Sequence, residues 1–324
     1  MEVTSPESIA AAVAVLRRGG LVGLPTETVY GLAADAENEL AVRRIFAVKG
    51  RPSSHPLIVH VAHPEAMESW ARSVPPDAVR LAEAFWPGPL TLVLPRSARA
   101  SDAVTGGQDT VAIRVPGHPV ALALLRAFGG GVAAPSANRF GRVSPTRAEH
   151  VRADLGSDVD LVLDGGPARV GVESTIVDLS GEAPVLLRPG GVGPEELARV
   201  LGRPVRPASA SAVRAPGLLP SHYAPRAGVL LVEPAAVLAR ALTLAEGGAK
   251  VAVAVPHGLE VPPPLTALRI PGDIEGLARE LYALLRSLDT GGIDVAVVSV
   301  PREEGLGLAV VDRLRRAAAP RPDR

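Results

Sequence analysis

The sequence predicts an α/β protein with a larger first domain, a twisted mixed sheet flanked by helices, and a smaller second domain with a doubly wound sheet. Three observations predict it. Helix-like and strand-like segments alternate along the 324 residues, which is typical of layered α/β folds. Several strands of the first two hundred residues follow one another with too little chain between them for a crossover helix, so antiparallel pairs are required. A proline-rich interruption then precedes a second β-α-β-α repeat.

The first helix shows how the individual elements are recognised. Ser5 suits the N-cap, Pro6 suits the first helical position, and Gly19-Gly20 end the helix. Short apolar segments predict strands over 21–24, 56–61, 90–94, 110–115, 132–134, 161–163, 175–179 and 185–187. Helical patterns predict helices over 39–48, 77–85, 119–128 and 145–153.

A linker is predicted where this alternation stops. Residues 202–226 contain repeated prolines and a Ser-His-Tyr-Ala-Pro motif, so we expect an extended segment that is ordered only where it contacts other residues. The predicted domains are therefore 1–201 and 227–324. In the second domain we expect strands over 229–232, 251–255 and 295–300, and helices over 235–245, 274–288 and 306–317.

Composition argues against several classes of function. The 34 Lys and Arg residues balance 34 Asp and Glu residues, so the basic footprint of a nucleic-acid-binding protein is missing. The amino terminus lacks the pattern of a signal peptide, and no apolar run reaches the roughly 18 residues of a membrane span. We therefore expect a cytoplasmic protein with no membrane or direct nucleic-acid partner. No cysteine is present and the seven histidines show no paired metal-ligand spacing, so no protein-held metal is predicted.

Lysine, asparagine and glutamine are nearly absent, which makes the remaining copies informative. They are Lys49, Lys250, Asn38, Asn138 and Gln108. Arginine carries nearly all the positive charge, so Lys49 is expected where a compact ammonium does something that a planar guanidinium cannot do. Asn138, at the end of a Pro-Ser-Ala-Asn motif, invites the same interpretation. Chance retention is the alternative.

Polar side chains cluster at the ends of predicted strands, where open α/β sheets bind ligands. They are Thr26, Glu27, Thr28, Tyr30, Lys49, Arg51, His60, Arg114, Ser136, Asn138, Glu173, Ser174, Thr175 and Arg188. Three of the cations, Lys49, Arg51 and Arg188, would suit a polyanion such as a triphosphate. Arg114 lies in an apolar strand and needs an anionic partner, because a buried unpaired charge is costly.

Each of these residues also has a purely structural alternative. A strand-end arginine is commonly solvated, the threonines could cap turns, and His60 could be a hydrogen-bonded core residue. Asp35, Asp164 and Glu173 could assist a magnesium ion that arrives with a nucleotide. The sequence contains no glycine-rich phosphate loop, no Ser-His-Asp arrangement and no cysteine, which favours direct attack between bound substrates over a covalent nucleophile.

Six motifs in this order make the chain similar to the YrdC-type threonylcarbamoyl-AMP synthase family. They are Pro25–Leu32, Lys49–Pro52 followed by Pro56–His60, Trp86–Thr91, Arg114–Pro116, Ala134–Asn138 and Glu173–Thr175. The resemblance covers roughly residues 6 to 200 and implies a YrdC-like catalytic domain. The Ser-His-Tyr-Ala-Pro motif and the Gly-Leu-Gly-Leu-Ala segment at 305–309 resemble the long form of the family, which adds a Rossmann-like C-terminal domain.

The resemblance implies that L-threonine, bicarbonate and ATP, with Mg²⁺, give threonylcarbamoyl-AMP and diphosphate for threonylcarbamoyladenosine formation in tRNA. A downstream tRNA threonylcarbamoyl transferase would take over the product. The implied catalytic cluster is Lys49, Arg51 and Asn138. The implied L-threonine-binding residues are Thr28, His60, Arg114, Ser136 and Ser174. The implied ATP-binding residues are Arg51, His55, Thr110, Ala134, Ser144, Arg188 and Tyr223, and Tyr223 is expected to close over the nucleotide as part of a lid.

Two other functions remain open at this point. A carbamoyltransferase of the hydrogenase-maturation type shares the YrdC-like module, but the absence of cysteine argues against its usual zinc-finger architecture. A non-catalytic RNA-binding module is the second alternative, and the neutral net charge argues against it.

Overall fold

The computed structural model describes residues 5–217 and 222–320, so Ser221 of the Ser-His-Tyr-Ala-Pro motif lies outside the described residues. The described chain divides into two compact units. The first comprises residues up to 140 and from 144 to 217, and the second comprises residues 141–143 and from 222 to 320. The predicted bounds of two domains and a linker stay a prediction. No helix in the described ranges is long and apolar enough to span a membrane.

The first unit contains a mixed sheet to which ten strands contribute among the described residues, in the order β10-β9-β8-β4-β5-β3-β6-β2-β1-β7. The strands are β1 (Val22–Leu24), β2 (Gly31–Asp35), β3 (Ile58–His60), β4 (Leu90–Pro95), β5 (Thr110–Arg114), β6 (Val132–Ala133), β7 (Leu161–Val162), β8 (Thr175–Asp178), β9 (Val185–Arg188) and β10 (Arg206–Pro207). Parallel and antiparallel pairs alternate irregularly across it. The predicted mixed sheet is therefore confirmed.

Helices pack against this sheet and supply most of the apolar core. They are α1 (Pro6–Arg17), α2 (Glu39–Lys49), α3 (Met67–Trp70), α4 (Pro76–Phe85), α5 (Asp102–Thr105), α6 (Pro119–Phe128), α7 (Ala148–Leu155) and α8 (Pro194–Leu201). The start of α1 is as predicted, because the Ser5 hydroxyl accepts a hydrogen bond from the main-chain N–H of Ser8 and Pro6 is the first helical residue.

Helix α2 determines the position of Lys49. The Asn38 side chain caps its first turn by accepting from the N–H of Ala41 at 3.2 Å, which explains one of the two asparagines in the chain. Gly50 ends the helix in the left-handed conformation at φ 63°, where a side chain would be strained. Lys49 is thus the last residue of a helix with both ends fixed.

The second unit is built on a parallel sheet of four strands within the described residues, in the order β11-β14-β12-β13. Its elements are β11 (Gly228–Val232), α9 (Val237–Glu246), β12 (Val251–Pro256), β13 (Thr266–Ile270), α10 (Ile274–Thr290), β14 (Val295–Ser299) and α11 (Leu306–Ala318). The buried valines of β12, packed against Ala241 and Val297, form its core. The α/β class of both units is as predicted.

Besides the one-turn helices α3 and α5, four elements were not predicted, each for a local reason. Strand β2 is only partly apolar and follows the polar residues Thr26 to Thr28, and β13 follows a proline-rich segment. Helix α8 begins at Pro194 among glycines, which signal turns. The predicted linker contains β10, which pairs with β9 through Arg206 and Val185. Part of the linker is therefore an edge strand of the first sheet.

Candidate active site

Lys49 is buried in the first unit and its ammonium is held by two main-chain carbonyls. Its Nζ donates to the oxygen of Ser136 at 2.5 Å and to the oxygen of Asn138 at 2.6 Å. Burial, together with the nearby Arg51 guanidinium, lowers the pKa of Lys49 well below its usual value. The two carbonyls hold the ammonium form in place by direct hydrogen bonds. Lys49, one of the two lysines in the chain, therefore lies at a site where the carbonyl oxygens of Ser136 and Asn138 bind its side chain.

Arg51 and His55 lie in the loop that follows α2. The Arg51 Nη2 donates to the carbonyl oxygen of Pro56 at 2.9 Å, and the residue is 8% exposed. The half-buried His55 ring meets Phe140 edge-on, with 5.5 Å between the ring centroids. Burial, then Arg51 and then Arg214, lowers the pKa of His55. This end of the site is therefore a region of positive potential.

Asn138 acts on Lys49 through its backbone. Its carbonyl oxygen accepts from Lys49, while its side-chain Nδ2 donates to the carbonyl oxygen of Arg139 at 2.8 Å. Arg139 in turn donates to Asp158 at 2.6 Å. The asparagine side chain thus stabilises the turn that presents the carbonyl to the lysine.

Arg114, at the end of β5, has a protein carboxylate as its partner. Its Nη2 lies 2.6 Å from Oε1 of Glu27, and its Nε donates to the carbonyl oxygen of Gly88 at 3.1 Å. Both charged side chains are about 95% buried, at 4% and 5% exposure. The anionic partner that the sequence demanded for Arg114 is therefore present within the protein.

His60 lies beside Arg114, because β3 and β5 run parallel with these two residues in register. Burial, and secondarily the Arg114 charge, lowers the pKa of His60 to about 3. Its Nδ1 has no hydrogen-bond partner among the described residues. His60 is therefore a neutral ring with an unused nitrogen, which is unlike an ordinary satisfied core histidine.

Thr28 and Ser136 complete this side of the site. The Thr28 and Thr26 hydroxyls are 2.8 Å apart, and the Thr26 hydroxyl donates to the carbonyl oxygen of Val29 at 2.6 Å. Ser136 bridges to Gly31 in an isolated antiparallel pair. Ala134 is fixed by its N–H, which donates to Ile58 at 3.1 Å. These bonds hold the Thr28 and Ser136 loops against the ends of β2 and β3.

Ser174 and Arg188 join the predicted threonine-binding and ATP-binding groups. The Arg188 Nη2 donates to the Ser174 carbonyl at 2.8 Å and to its hydroxyl at 3.1 Å. The Ser174 hydroxyl also lies 2.7 Å from the hydroxyl of Thr91. Arg188 is 2% exposed. It is therefore not a solvated strand-end arginine, which was the structural alternative.

Thr110 begins the strand that Arg114 ends. Four residue steps at about 3.3 Å each separate the two by roughly 13 Å. Because β3 and β5 are parallel, the amino ends lie beside the loop of His55, whereas the carboxyl ends carry His60 and Arg114. His55 and Thr110 therefore lie toward one end of these two strands, whereas His60 and Arg114 lie at the other end.

Tyr223 belongs to the second unit. It is 1% exposed and adopts a φ of 59°, an uncommon conformation for a residue with a side chain. Its ring stacks on Tyr282 with 5.5 Å between centroids, and the Arg313 guanidinium lies 5.3 Å from the ring centroid. The strained backbone indicates that this tyrosine is held in a specific position.

Carboxylates near the site are engaged with protein groups. Glu173 accepts from the Ser144 hydroxyl at 2.7 Å, Asp164 lies 3.5 Å from the Tyr30 hydroxyl, and Asp35 accepts a main-chain N–H. Over the described ranges, no three His, Asp or Glu side chains are grouped so that they could hold a metal ion. A magnesium ion at this site would take most of its ligands from nucleotide phosphates and water.

Two residues were missed as members of the site. Glu27 was noted in the polar cluster but given no role, although Arg114 required an anion and Glu27 directly precedes Thr28. Gln108 was noted only for its rarity. Its Nε2 donates to the Arg214 carbonyl at 3.0 Å and its Oε1 accepts from the Arg214 N–H at 2.7 Å. The pairing of a side-chain amide with the main-chain N–H and carbonyl of one linker residue leaves no sequence pattern.

Comparison with known proteins identifies the family over almost the whole chain. Residues 14–190 match the Sua5/YciO/YrdC model, described as telomere recombination, and residues 192–319 match the C-terminal domain of threonylcarbamoyl-AMP synthase. The threonylcarbamoyl-AMP synthase of Pyrococcus abyssi is 44% identical, with 95% of this chain and 93% of the relative covered. That of Bacillus subtilis is 41% identical, with 98% and 95% covered.

Solved structures give the same assignment. The structure of P. abyssi Sua5 complexed with L-threonine has a TM-score of 0.92 and 43% identity, and covers 98% of this chain and 96% of that one. Full-length HypF, at 19% identity and a TM-score of 0.51, shares the fold over 57% of this chain. The family resemblance seen in the motifs is confirmed. The chain therefore belongs to the Sua5/YciO/YrdC family, as a long-form member of the threonylcarbamoyl-AMP synthases.

Proposed function

We propose that this protein synthesises threonylcarbamoyl-AMP from L-threonine, bicarbonate and ATP, releasing diphosphate. Relatives named for this activity are 38–44% identical over nearly the full chain. The observation in the structure that carries the proposal is the buried Lys49 side chain, whose Nζ donates to two carbonyl oxygens. Burial and Arg51 lower its pKa, and the anionic phosphates of bound ATP would favour its charged form. A positive charge fixed in this place suits a reaction in which negative charge grows on a departing diphosphate.

The reaction joins three substrates in two steps. The amine nitrogen of threonine attacks the carbon of bicarbonate, and loss of water leaves a carbamate. A carbamate oxygen then attacks the α-phosphorus of ATP, and the bond to the bridging oxygen breaks as diphosphate leaves. Holding the carbamate beside the nucleotide makes the second step effectively unimolecular. Lys49 and Arg51 stabilise the charge on the phosphates, and Asn138 fixes the carbonyl that orients Lys49.

The two substrates are assigned to two sets of residues. L-threonine binds at Thr28, His60, Arg114, Ser136 and Ser174. ATP binds at Arg51, His55, Thr110, Ser144 and Arg188, with the backbone of Ala134. The direct bonds from Arg188 to Ser174 support a junction between the two substrates at this point.

Tyr223 is proposed as an ATP-binding residue. Its positive φ and its packing on Tyr282 support a fixed presentation of the ring. When the ring covers the nucleotide, water is kept from a labile mixed anhydride. The Tyr223→Ala variant should therefore raise the KM for ATP or release threonylcarbamoyl-AMP prematurely.

Magnesium enters as the complex with ATP, and the product passes to a tRNA threonylcarbamoyl transferase. Most ligands of Mg²⁺ in such complexes are phosphate oxygens and water. Because the product serves tRNA modification, we propose that the enzyme acts in the cytoplasm. No direct binding of tRNA is proposed for this chain.

Diphosphate release tests the proposal. The purified full chain is incubated with ATP, Mg²⁺, bicarbonate and one amino acid at a time, and threonylcarbamoyl-AMP is sought by mass spectrometry. We expect release that requires both bicarbonate and L-threonine, with L-serine and L-valine as matched controls for the methyl and hydroxyl groups. Release that depends on carbamoyl phosphate instead would indicate a carbamoyltransferase. No release under either condition would contradict both enzymatic assignments.

A further inference from the structure

The Glu27 side chain has one oxygen bound and one oxygen without a partner. Its Oε1 lies 2.6 Å from Nη2 of Arg114. Its Oε2 is fully buried and has no hydrogen-bond partner among residues 5–217 and 222–320. A buried carboxylate oxygen in that state is expensive, because the group has lost its hydration without gaining a replacement. A missing donor is therefore implied at Oε2.

The surroundings fix this carboxylate instead of letting it turn toward water. The Nε of Arg114 is tied to the carbonyl oxygen of Gly88 at 3.1 Å. A Cβ atom at Gly117 would lie 3.4 Å from the Glu27 carboxyl carbon, and the same position would lie 3.4 Å from the Gly88 Cα. The Glu27–Arg114 ion pair thus lies between the loops that contain Gly88 and Gly117. Its orientation is set by the main chain, which is what a preformed binding site requires.

Within the described part of the chain, no group donates a hydrogen bond to Oε2. The neighbouring His118 accepts from the Val120 N–H through Nδ1 at 3.2 Å, so its remaining proton is on Nε2, which lies 3.3 Å from the Gly165 carbonyl. His60, in register with Arg114, also has an unused ring nitrogen, Nδ1. Two buried polar atoms on neighbouring elements therefore lack partners around one arginine.

We propose that Oε2 of Glu27 binds the ammonium group of the substrate while Arg114 binds its carboxylate, so that the Glu27–Arg114 pair recognises a zwitterionic amino acid. This inference rests on the proposed use of L-threonine. The pair has no net charge, and neither does the ligand. Each buried charge of the protein then meets an opposite charge of the ligand, and no charge is left uncompensated when the site is filled.

The pair also gives specificity against anions that lack an amine. A simple carboxylate could bind Arg114, but it would leave Oε2 unpaired and would bring a second negative charge toward Glu27. Both effects oppose binding. Sites that hydrogen-bond a polar substrate group reject analogues without that group more strongly than apolar pockets reject a missing methyl.

Isothermal titration calorimetry with two ligands tests the inference. The ligands are L-threonine and 3-hydroxybutanoate, which lacks only the amino group. For the unaltered chain we expect 3-hydroxybutanoate to bind at least about 100-fold more weakly than threonine, as the loss of a charged hydrogen bond and an unpaired buried group predict. Equal affinities would overturn the inference without any variant being made.

The Glu27→Gln variant separates recognition of the amine from support of Arg114. It should weaken threonine binding about 10-fold to 100-fold, and it should leave 3-hydroxybutanoate binding unchanged or tighter because a negative charge has gone. An equal loss for both ligands would show that Glu27 only positions Arg114. Glu37→Gln is the matched control, since Glu37 forms an exposed ion pair with Arg99 at 2.8 Å, and both affinities should be unchanged in it.

The same titrations distinguish failure of this inference from failure of the proposed function. If the unaltered chain binds threonine and releases diphosphate, but Glu27→Gln does so equally well, only the role of Glu27 is wrong. If the unaltered chain does not bind threonine at all, the proposed function is wrong and the inference falls with it. Circular dichroism of each variant confirms that the change in affinity belongs to a folded protein.

Discussion

Two regions of the candidate site bury a cation in different ways. In the region of Lys49, Arg51 and Asn138, the ammonium is held by neutral carbonyl oxygens. In the region of Glu27, His60 and Arg114, the guanidinium is held by a carboxylate. Carbonyls orient a charge without cancelling it, whereas a carboxylate cancels it. The first region therefore keeps the positive potential that a polyphosphate needs, and the second is balanced for a ligand with both charges.

The largest effect should come from removing one charge of the Glu27–Arg114 ion pair. Arg114→Gln leaves the Glu27 carboxylate buried without its partner, which should lower the free energy of unfolding by about 3–5 kcal/mol. The measurement is urea unfolding of the full chain at neutral pH. Threonine binding should be lost as well.

A double variant shows whether that cost is due to the orphaned charge. Glu27→Gln combined with Arg114→Gln removes both charges and allows the two amides to pair, so most of the lost stability should return. If the double variant is as unstable as the sum of the two single variants, the pair contributes no coupling and the two regions do not differ in the way described.

Removing the uncancelled charge should act on the reaction more than on the fold. We expect Lys49→Ala to lower kcat/KM by about 100-fold to 1,000-fold, as loss of one fixed electrostatic group does in other enzymes. Threonine affinity should fall much less, because Lys49 contacts the main-chain carbonyl of Ser136 and forms no hydrogen bond with Glu27, His60 or Arg114. Diphosphate release and calorimetry measure the two quantities.

The chain supplies its own control, since Lys250 is its only other lysine and is exposed in the second unit. Lys250→Ala should have normal kinetics. Lys49→Arg should not restore activity, because a planar guanidinium does not fit between two carbonyls that accept from one nitrogen. Full activity of Lys49→Arg would show that only charge matters at this position.

Much of the contrast between the two regions was predictable from the sequence, but the partner of Arg114 was not. The rarity of lysine identified Lys49, and the strand patterns placed His60 and Arg114 on two predicted strands, because short apolar segments with turn signals are reliable markers of buried strands. The sequence could not show that the partner of Arg114 is Glu27. That pairing joins residues 87 positions apart, and it depends on a register that local patterns do not determine.

Residue type alone does not show whether a site residue acts through its side chain or its backbone. The Asn138 carbonyl accepts from Lys49, while its side-chain amide donates to the carbonyl of Arg139. Backbone contributions of this kind depend on loop conformation, and a loop conformation is fixed by tertiary contacts more than by local sequence. The missed strand β13 is a similar case, since its pairing with β12 outweighs a weak local signal.

An effect of intermediate size is expected on stability when the pH is lowered and His60 is titrated. His60 has a pKa of about 3 in the folded protein and about 6.5 when unfolded. Between these values the unfolded chain binds more protons, so stability falls as the pH falls. Between pH 7.5 and pH 5 this one group should remove about 2 kcal/mol of stability.

The His60→Gln variant isolates that contribution. Its free energy of unfolding, measured with urea at both pH values, should depend on pH less steeply than that of the unaltered chain. The difference in slope should approach one proton. Identical slopes would mean that His60 is protonated equally in both states and that the Arg114 region does not exclude a second positive charge.

The smallest effect concerns the linker, which adds a cation to the Lys49 region. Gln108 binds both the N–H and the carbonyl of Arg214, and the Arg214 guanidinium donates to the Gly106 carbonyl at 2.9 Å. Arg214 also contributes to the lowered pKa of His55, after burial and Arg51. This clamp, formed by the Gln108 amide and the main chain of Arg214, thus fixes a positive charge near the residues assigned to ATP.

Replacing Gln108 by alanine should release this charge without touching the reacting groups. The pKa of His55 should rise toward its ordinary value, because a nearby positive charge no longer disfavours the imidazolium. The His55 ring signals in an NMR titration measure it. Arg214→Met is the positive control, since it removes the charge and keeps the main-chain clamp. If Arg214→Met raises the pKa of His55 and Gln108→Ala does not, the linker is held by other contacts, such as the packing of Val213 and Ala215 on the sheet, and the amide is dispensable.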